Sequence, residues 1–261
     1  MRISNLTTAA FLLAASCGVL ASDDLTVVSK STLNGKPGGN STSYMTNDHV
    51  RMGQDEGHDM IIDLKTGVST TLDHTKKTYY TTTKQDMEQY AAKMQEKLND
   101  PEMKKGMEMM SKMTEGMAGT IEVKKTGESR KVAGFRCEEW VITMNQYTTM
   151  KECVTADLQY PARSFDAYKE YSESMKKMMS GFGAMAKSGA ELAEKMKAMK
   201  GYPVATSMKM DVMGQKTSTE SEVIEVRRGS IPASTWEIPA GYTKIDNPML
   251  KAFGSHGRPH H

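Results

Sequence analysis

The spacing of apolar residues changes four times along this chain, and those changes constrain its fold more than any single motif does. Short runs rich in β-branched and aromatic residues, separated by turn residues, read as strands. They give way twice to longer stretches in which methionine recurs at helical spacing. The first strand-like runs cover 25–33, 41–52, 60–64, 68–72 and 77–83, a meander of about five strands. The cluster Asn34-Gly35-Lys36-Pro37-Gly38-Gly39 punctuates the first pair, and Lys65-Thr66-Gly67 joins the third run to the fourth. From near Lys84 the period lengthens: Met87, Ala91, Met94 and Leu98 fall on one helical face. Pro101 stops that helix, and Asp100 caps a second one with Pro101 at its first position. The apolar face of this second helix is Met103, Met107, Met110, Met113 and Met117.

Strand character returns over 120–125, with a turn at Gly127, and then over 131–144 and 148–155. A second helical region opens near Ala162. It carries Phe165, Tyr168, Met175, Met178, Met179 and Phe182, then Met185, Leu192, Met196 and Met199, up to a stop at Gly201 and Pro203. Runs over 204–212 and 218–227, then Trp236-Glu237-Ile238 leading to Tyr242, read as three more strands, and 246–261 as a frayed flexible tail. This order predicts an α+β fold: an antiparallel sheet with helical insertions 84–118 and 162–200 gathered on one face.

The N-terminus carries one basic residue, a short apolar run from Leu6 to Leu20 and small residues before Ser22-Asp23-Asp24. That is the pattern of a secretory signal peptide over residues 1–21, cleaved after Ala21, and the run is shorter than the roughly 20 apolar residues of a membrane span. A second reading makes Cys17 an acylated lipoprotein cysteine, although the usual leucine three places earlier is absent. The expected location is periplasmic or secreted. Cleavage leaves 240 residues, room for one large domain or two small ones. Loss of Arg2 takes the formal charge from +2 to +1, with acidic and basic residues interspersed, which gives no electrostatic case for nucleic acid. Cleavage or acylation disposes of Cys17, leaving Cys137 and Cys153. An even pair in an exported chain favours a disulfide, and strand pairing centred on Asn145 sets the two cysteines opposite each other.

No nucleophile elbow, His-Glu-x-x-His pair, phosphate-cradling glycine loop or Cys-x-x-Cys is present. His49, His58 and His74 neighbour Asp48, Asp59 and Asp73, but adjacent strand residues point to opposite faces, so these are read as solvated histidines rather than dyads. The chain is therefore expected to be non-enzymatic and to need no cofactor. The 24 methionines are the remaining signal. Soft thioethers can hold Cu(I), and the sets Met107, Met109, Met110, Met113, Met117 and Met208, Met210, Met213 resemble sulfur clusters, with Met208 and Met210 on one strand face. No histidine or cysteine accompanies either set, and the helical methionines continue an ordinary packing stripe. Methionine also lines sites for variable apolar ligands because its rotamers adjust.

Several segments carry a resemblance. They are Asn47-Asp48-His49-Val50-Arg51-Met52, Met60-Ile61-Ile62-Asp63-Leu64-Lys65-Thr66-Gly67 and Leu72-Asp73-His74-Thr75-Lys76-Lys77-Thr78-Tyr79. Val132-Ala133-Gly134-Phe135-Arg136-Cys137-Glu138-Glu139-Trp140, Glu152-Cys153-Val154-Thr155-Ala156-Asp157-Leu158, Val223-Ile224-Glu225-Val226 with Ile231-Pro232, and Trp236-Glu237-Ile238-Pro239-Ala240-Gly241-Tyr242 complete them. Patchwise over 40–245, the chain resembles an exported bacterial family of unknown function (domain of unknown function 4412-like), allied to periplasmic lipoprotein carriers of the LolA/LolB type. The resemblance implies a single domain over 22–245, a curved antiparallel half-barrel whose concave face the helical insertions cover. An apolar or amphiphilic ligand is then expected between sheet and helices, against Met94, Met103, Met107, Met110, Met113, Met117, Met175, Met178 and Met196, with an envelope protein or a membrane surface as further partners. The alternatives are a soft-metal (copper) binding protein and a structural or protein-partner module.

Overall fold

The computed structural model describes residues 24–54, 57–103, 105–106, 109, 121–145, 147–161, 191–192, 194–196, 198–212, 214–248 and 250–251. Its strands are β1 (Leu25–Leu33), β2 (Lys36–Met45), β3 (His49–Gln54), β4 (His58–Asp63), β5 (Ser69–Asp73) and β6 (Thr78–Thr82), followed by the helix α1 (Lys84–Asn99). Next come β7 (Glu122–Val132), β8 (Phe135–Asn145), β9 (Thr148–Thr155), β10 (Tyr202–Val212), β11 (Gln215–Arg228) and β12 (Thr243–Lys244). All twelve join one unclosed sheet in the order β12-β6-β5-β4-β3-β2-β1-β11-β10-β9-β8-β7. Every ladder is antiparallel except the short parallel pairing of β12 with β6.

Turn chemistry explains where the strands break, and it corrects four expectations. The Asn34–Gly39 cluster supplies only a two-residue turn: Asn34 and Gly35 have φ of 52° and 74°, the pattern that matches strand twist in a tight hairpin. Gly38 and Gly39 then lie inside β2. The run 41–52 is two strands rather than one, because the Thr46 hydroxyl accepts from the Asp48 and His49 amides at 3.1 and 2.8 Å and turns the chain. The meander therefore has six strands. Gly127 does not end a strand but sits at an irregularity inside β7, between Lys125 and Ser129; the turn is Ala133-Gly134, with φ of 48° and 86°. Finally, Trp236 closes a 3-10 turn over Ala233–Trp236 instead of starting a strand.

α1 begins where its capping box predicts. The Thr83 hydroxyl accepts from the Asp86 amide at 3.1 Å while the Asp86 carboxylate accepts from the Thr83 amide at 2.7 Å. Met87, Ala91 and Met94 are half-buried whereas Glu88, Ala92 and Lys93 are exposed, so the apolar stripe is the less exposed side of the helix. No described strand packs extensively against α1. Asp100 caps the next turn as expected, accepting from the Glu102 and Met103 amides at 2.9 and 3.1 Å. Residues 104, 107–108 and 110–118 of that insertion, and 162–190, 193 and 197 of the second, lie outside the described residues. The chain is described through Lys251, with Asn247 donating to the Thr82 hydroxyl at 3.0 Å.

Cys137 and Cys153 form the expected disulfide, with Cα atoms 5.2 Å apart. Its register differs from the expected one. Glu139, not Cys137, lies opposite Cys153, because the hairpin closes with Asn145 opposite Thr148 and the ladder is centred one residue later than Asn145. The bridge is thus diagonal, between positions of the same face. Around it the core gathers Val132, Leu158, Tyr202, Val204 and Ala205, and continues to Leu25, Val27, Met45 and Val223.

Tyr202 packs against Tyr160 with ring centroids 4.7 Å apart, and burial pushes its phenol up to about 12. An acid raised in the folded state contributes stability that is complete below its unfolded pKa near 10 and lost as pH rises towards 12. Urea titrations from pH 8 to 12 are expected to lose roughly 2–3 kcal/mol across that window, and Tyr202→Phe is expected to remove that part of the slope.

Candidate functional site

Side chains alternate across a strand, so the ladder register decides which of them share a face. One row reads Ile142, Met150, Met208, Thr219, Leu33 from β8 to β1. A parallel row reads Trp140, Glu152, Thr206, Ser221, Ser31. Because β1 alternates without interruption, its Leu25 and Val27 continue the same face. There the rows are Leu25, Met45, Val50, Ile62 and Val27, Ser43, Met52, Met60. Met45, Met52, Met60, Met150, Met208 and Met210 thereby fall on one side of the sheet. Met45 and Ile142 are buried, Met60, Met150, Met208 and Met210 are half-buried, and Met52 is 41% exposed.

The opposite face is charged, and the sheet closes towards it at one end. Arg130 on β7 reaches Glu222 on β11 at 3.3 Å although three strands intervene. Four flat spacings would hold those strands about 19 Å apart, yet Cα atoms of β7 and β11 come within 8 Å. The irregularity in β7 allows that bend. The resulting trough, of about 380 Å³, is lined by Cys153 and Ala205, by Lys30, Arg130, Glu139, Lys151 and Glu222, and by the strand segments of Glu152, Thr206 and Ser221. Those charges largely neutralise one another: Lys30 meets Glu222 at 3.5 Å and Lys151 meets Glu139 at 3.1 Å. Concavity at this end therefore belongs to the polar face, not to the methionine face.

A third arrangement was invisible in the sequence. Asp59, 8% exposed, accepts from Arg51 Nε at 2.8 Å and Nη2 at 2.5 Å, and His74 Nε2 sits 3.1 Å from its other oxygen. His74 Nδ1 bonds the Tyr242 hydroxyl at 2.5 Å, while Arg51 Nη1 donates to the Thr235 carbonyl at 2.6 Å. His49 stacks on Trp236 at 5.1 Å. The histidines flagged by their neighbouring aspartates thus use the aspartate of another strand: His74 uses Asp59, and His58 pairs with Asp73 at 3.3 Å. This corrects the solvated reading for His74, whose side chain is 25% exposed, and not for His58, whose side chain stays 65% exposed. The network anchors the segment after β11 to β3, β4 and the β5–β6 turn.

Of the nine methionines expected to line a ligand, Met94 and Met196 are half-buried and Met103 is 45% exposed. Met107, Met110, Met113, Met117, Met175 and Met178 lie outside the described residues. The parity of Met208 and Met210 was readable from sequence, but their alignment with Met150 was not. Glu152 was missed as well: it lies on the methionine face, and burial raises its carboxyl above the usual range. Among the described residues no group of three or more His, Cys, Asp or Glu side chains is placed to hold a metal ion, and no helix is long and apolar enough to cross a membrane.

A family model described as a domain of unknown function (DUF4412) matches residues 36–242. No curated protein matches the chain. Among solved structures, PNGF-II is similar over 88% of this chain at 12% identity and TM-score 0.40. MucB in complex with MucA(peri) is similar over 84% at 12% identity and TM-score 0.37, and the Pseudomonas aeruginosa MucA/MucB complex over 84% at 10% and 0.32. The chain spans 32% of the PNGF-II chain and 54% and 56% of the two MucB-complex chains. Likeness of this degree carries no argument about ligand or partner.

Proposed function

The chain belongs to the DUF4412 family, and we propose that it works as an exported, non-enzymatic binding protein that takes the apolar part of a lipid or another amphiphile on its methionine face. The single observation behind this reading is the gathering of six strand methionines with Leu25, Val27 and Ile142 on one side of the sheet. Apolar surface that is half-exposed and lined by adaptable thioethers is suited to acyl chains of variable shape. The helical insertions, with the half-buried stripe of α1, would roof that face. A disulfide fits an oxidising compartment outside the cytoplasm. The same face would also accept an apolar segment of an envelope protein.

The test is native mass spectrometry of protein purified from a bacterial envelope, joined to titration with a fluorescent acylglycerol, an acyl-chain probe with an uncharged head. Co-purified amphiphile and saturable binding are expected. Met208→Asp places a charge in the middle of the face and is expected to weaken acylglycerol binding at least about tenfold, whereas Met208→Leu stays within about threefold. If wild type carries no amphiphile and binds no acylglycerol, the reading fails; a co-purified peptide in place of lipid would transfer it to a protein partner.

A further inference from the structure

Glu152 lies on the methionine face between Met150 and Val154 of its own strand, and it differs from Glu138, which stands opposite Val154 on the same face and pairs with Lys125 at 2.6 Å. Glu152 is 8% exposed. Trp140 lies directly opposite it on β8 and Thr206 on β10, with Met150 two residues earlier on its own strand. Among the described residues its carboxylate meets no hydrogen-bond donor and no cation. Among the described residues no fully enclosed side-chain oxygen is left without a partner, so the Glu152 oxygens keep some exposure. The basic residues nearby are committed elsewhere. Lys151 points to the opposite face and pairs with Glu139 at 3.1 Å. Lys125, beyond Trp140 in the same row, is held by Glu138 at 2.6 Å.

A carboxylate held against apolar neighbours with no partner costs folding free energy, and its raised pKa reflects that burial. A ligand cation would supply the missing charge. The surroundings specify which kind. An indole attracts an ammonium over its face, thioethers and aliphatic side chains receive a hydrocarbon tail, and one acidic group balances one positive charge. We infer that Glu152 is the head-group receptor of this face, and that the amphiphile bound there carries an ammonium or quaternary ammonium head. This rests on the amphiphile-binding reading above and names its ligand class.

Calorimetric titration with dodecyltrimethylammonium and with dodecyl maltoside, each below its micellar concentration, tests it. Wild type is expected to favour the ammonium probe at least about tenfold. Glu152→Gln is expected to lose that preference while holding maltoside affinity within about twofold. Its melting temperature is expected to match or exceed wild type, because a neutral amide replaces an unpaired charge. Trp140→Leu is expected to weaken the ammonium probe selectively. Equal affinity of wild type for both probes, or undiminished ammonium binding by Glu152→Gln, overturns the head-group assignment and leaves apolar binding standing. Failure of wild type to bind either probe removes both.

Discussion

Asp59→Ala is expected to cost about 3–5 kcal/mol of folding stability, the penalty for leaving a buried cation without its partner. Arg51 would keep its 16% exposed side chain and its bond to the Thr235 carbonyl, but lose both contacts to carboxylate. His74 would lose its Asp59 contact at the same time, so its hold on Tyr242 would loosen. The change is therefore expected in two readouts: a lower urea midpoint, and faster hydrogen exchange of the Thr243 and Ile245 amides, which pair with Lys77 and Tyr79. Lys65→Ala breaks an exposed pair with Asp48 and is expected to stay within about 1 kcal/mol. Equal effects of the two substitutions would show that the Asp59 network does not bind the C-terminal segment to the sheet.

Gly201→Ala is expected to cost on the order of 4 kcal/mol or to abolish soluble folding. Gly201 has φ of 129°, and an added Cβ would stand 2.1 Å from the Thr155 carbonyl oxygen. That oxygen belongs to the backbone of β9, which cannot yield without breaking its ladder with β10. Gly214→Ala, at φ 79° with nothing within 4 Å of the added carbon, isolates backbone strain alone and is expected to cost about 1 kcal/mol. Thermal melts and soluble yield of the two variants separate contact from strain. Similar losses would mean that the close approach to β9 is unimportant.

Local chemistry foretold a good deal of this. Thr83 and Asp86 mark the start of α1, Asp100 marks the next cap, and the even cysteine pair forms its bridge. Where expectation failed, local signals competed. Asn34-Gly35 needed only two of the six turn-like residues around it, and Thr46 turned the chain inside a run that reads as continuous strand. Trp236 looked like strand, but it is fixed by stacking on His49, 187 residues earlier in the chain. No local pattern records such a contact.

The candidate site shows the same division. Period-two spacing tells which residues of one strand share a face, so Met208 and Met210 could be matched, and Met150 with Glu152 could have been. It does not tell which strand lies beside which. β1 sits between β2, its neighbour in sequence, and β11, nearly two hundred residues later, and through it the two halves of the methionine face become one surface. The amino-acid order by itself determined most of the strands, the caps at Thr83 and Asp100, the half-buried apolar stripe of α1 and the cysteine pair, because these depend on dihedral preferences and spacings within a few residues or on a simple count. Only the tertiary structure decided that Asp59 would hold Arg51 and His74, that the sheet would bend towards its charged side, and that Glu152 would stand unpaired among the described residues. Those outcomes depend on long-range register, in which a slip of one residue sends every side chain of a strand to the other face.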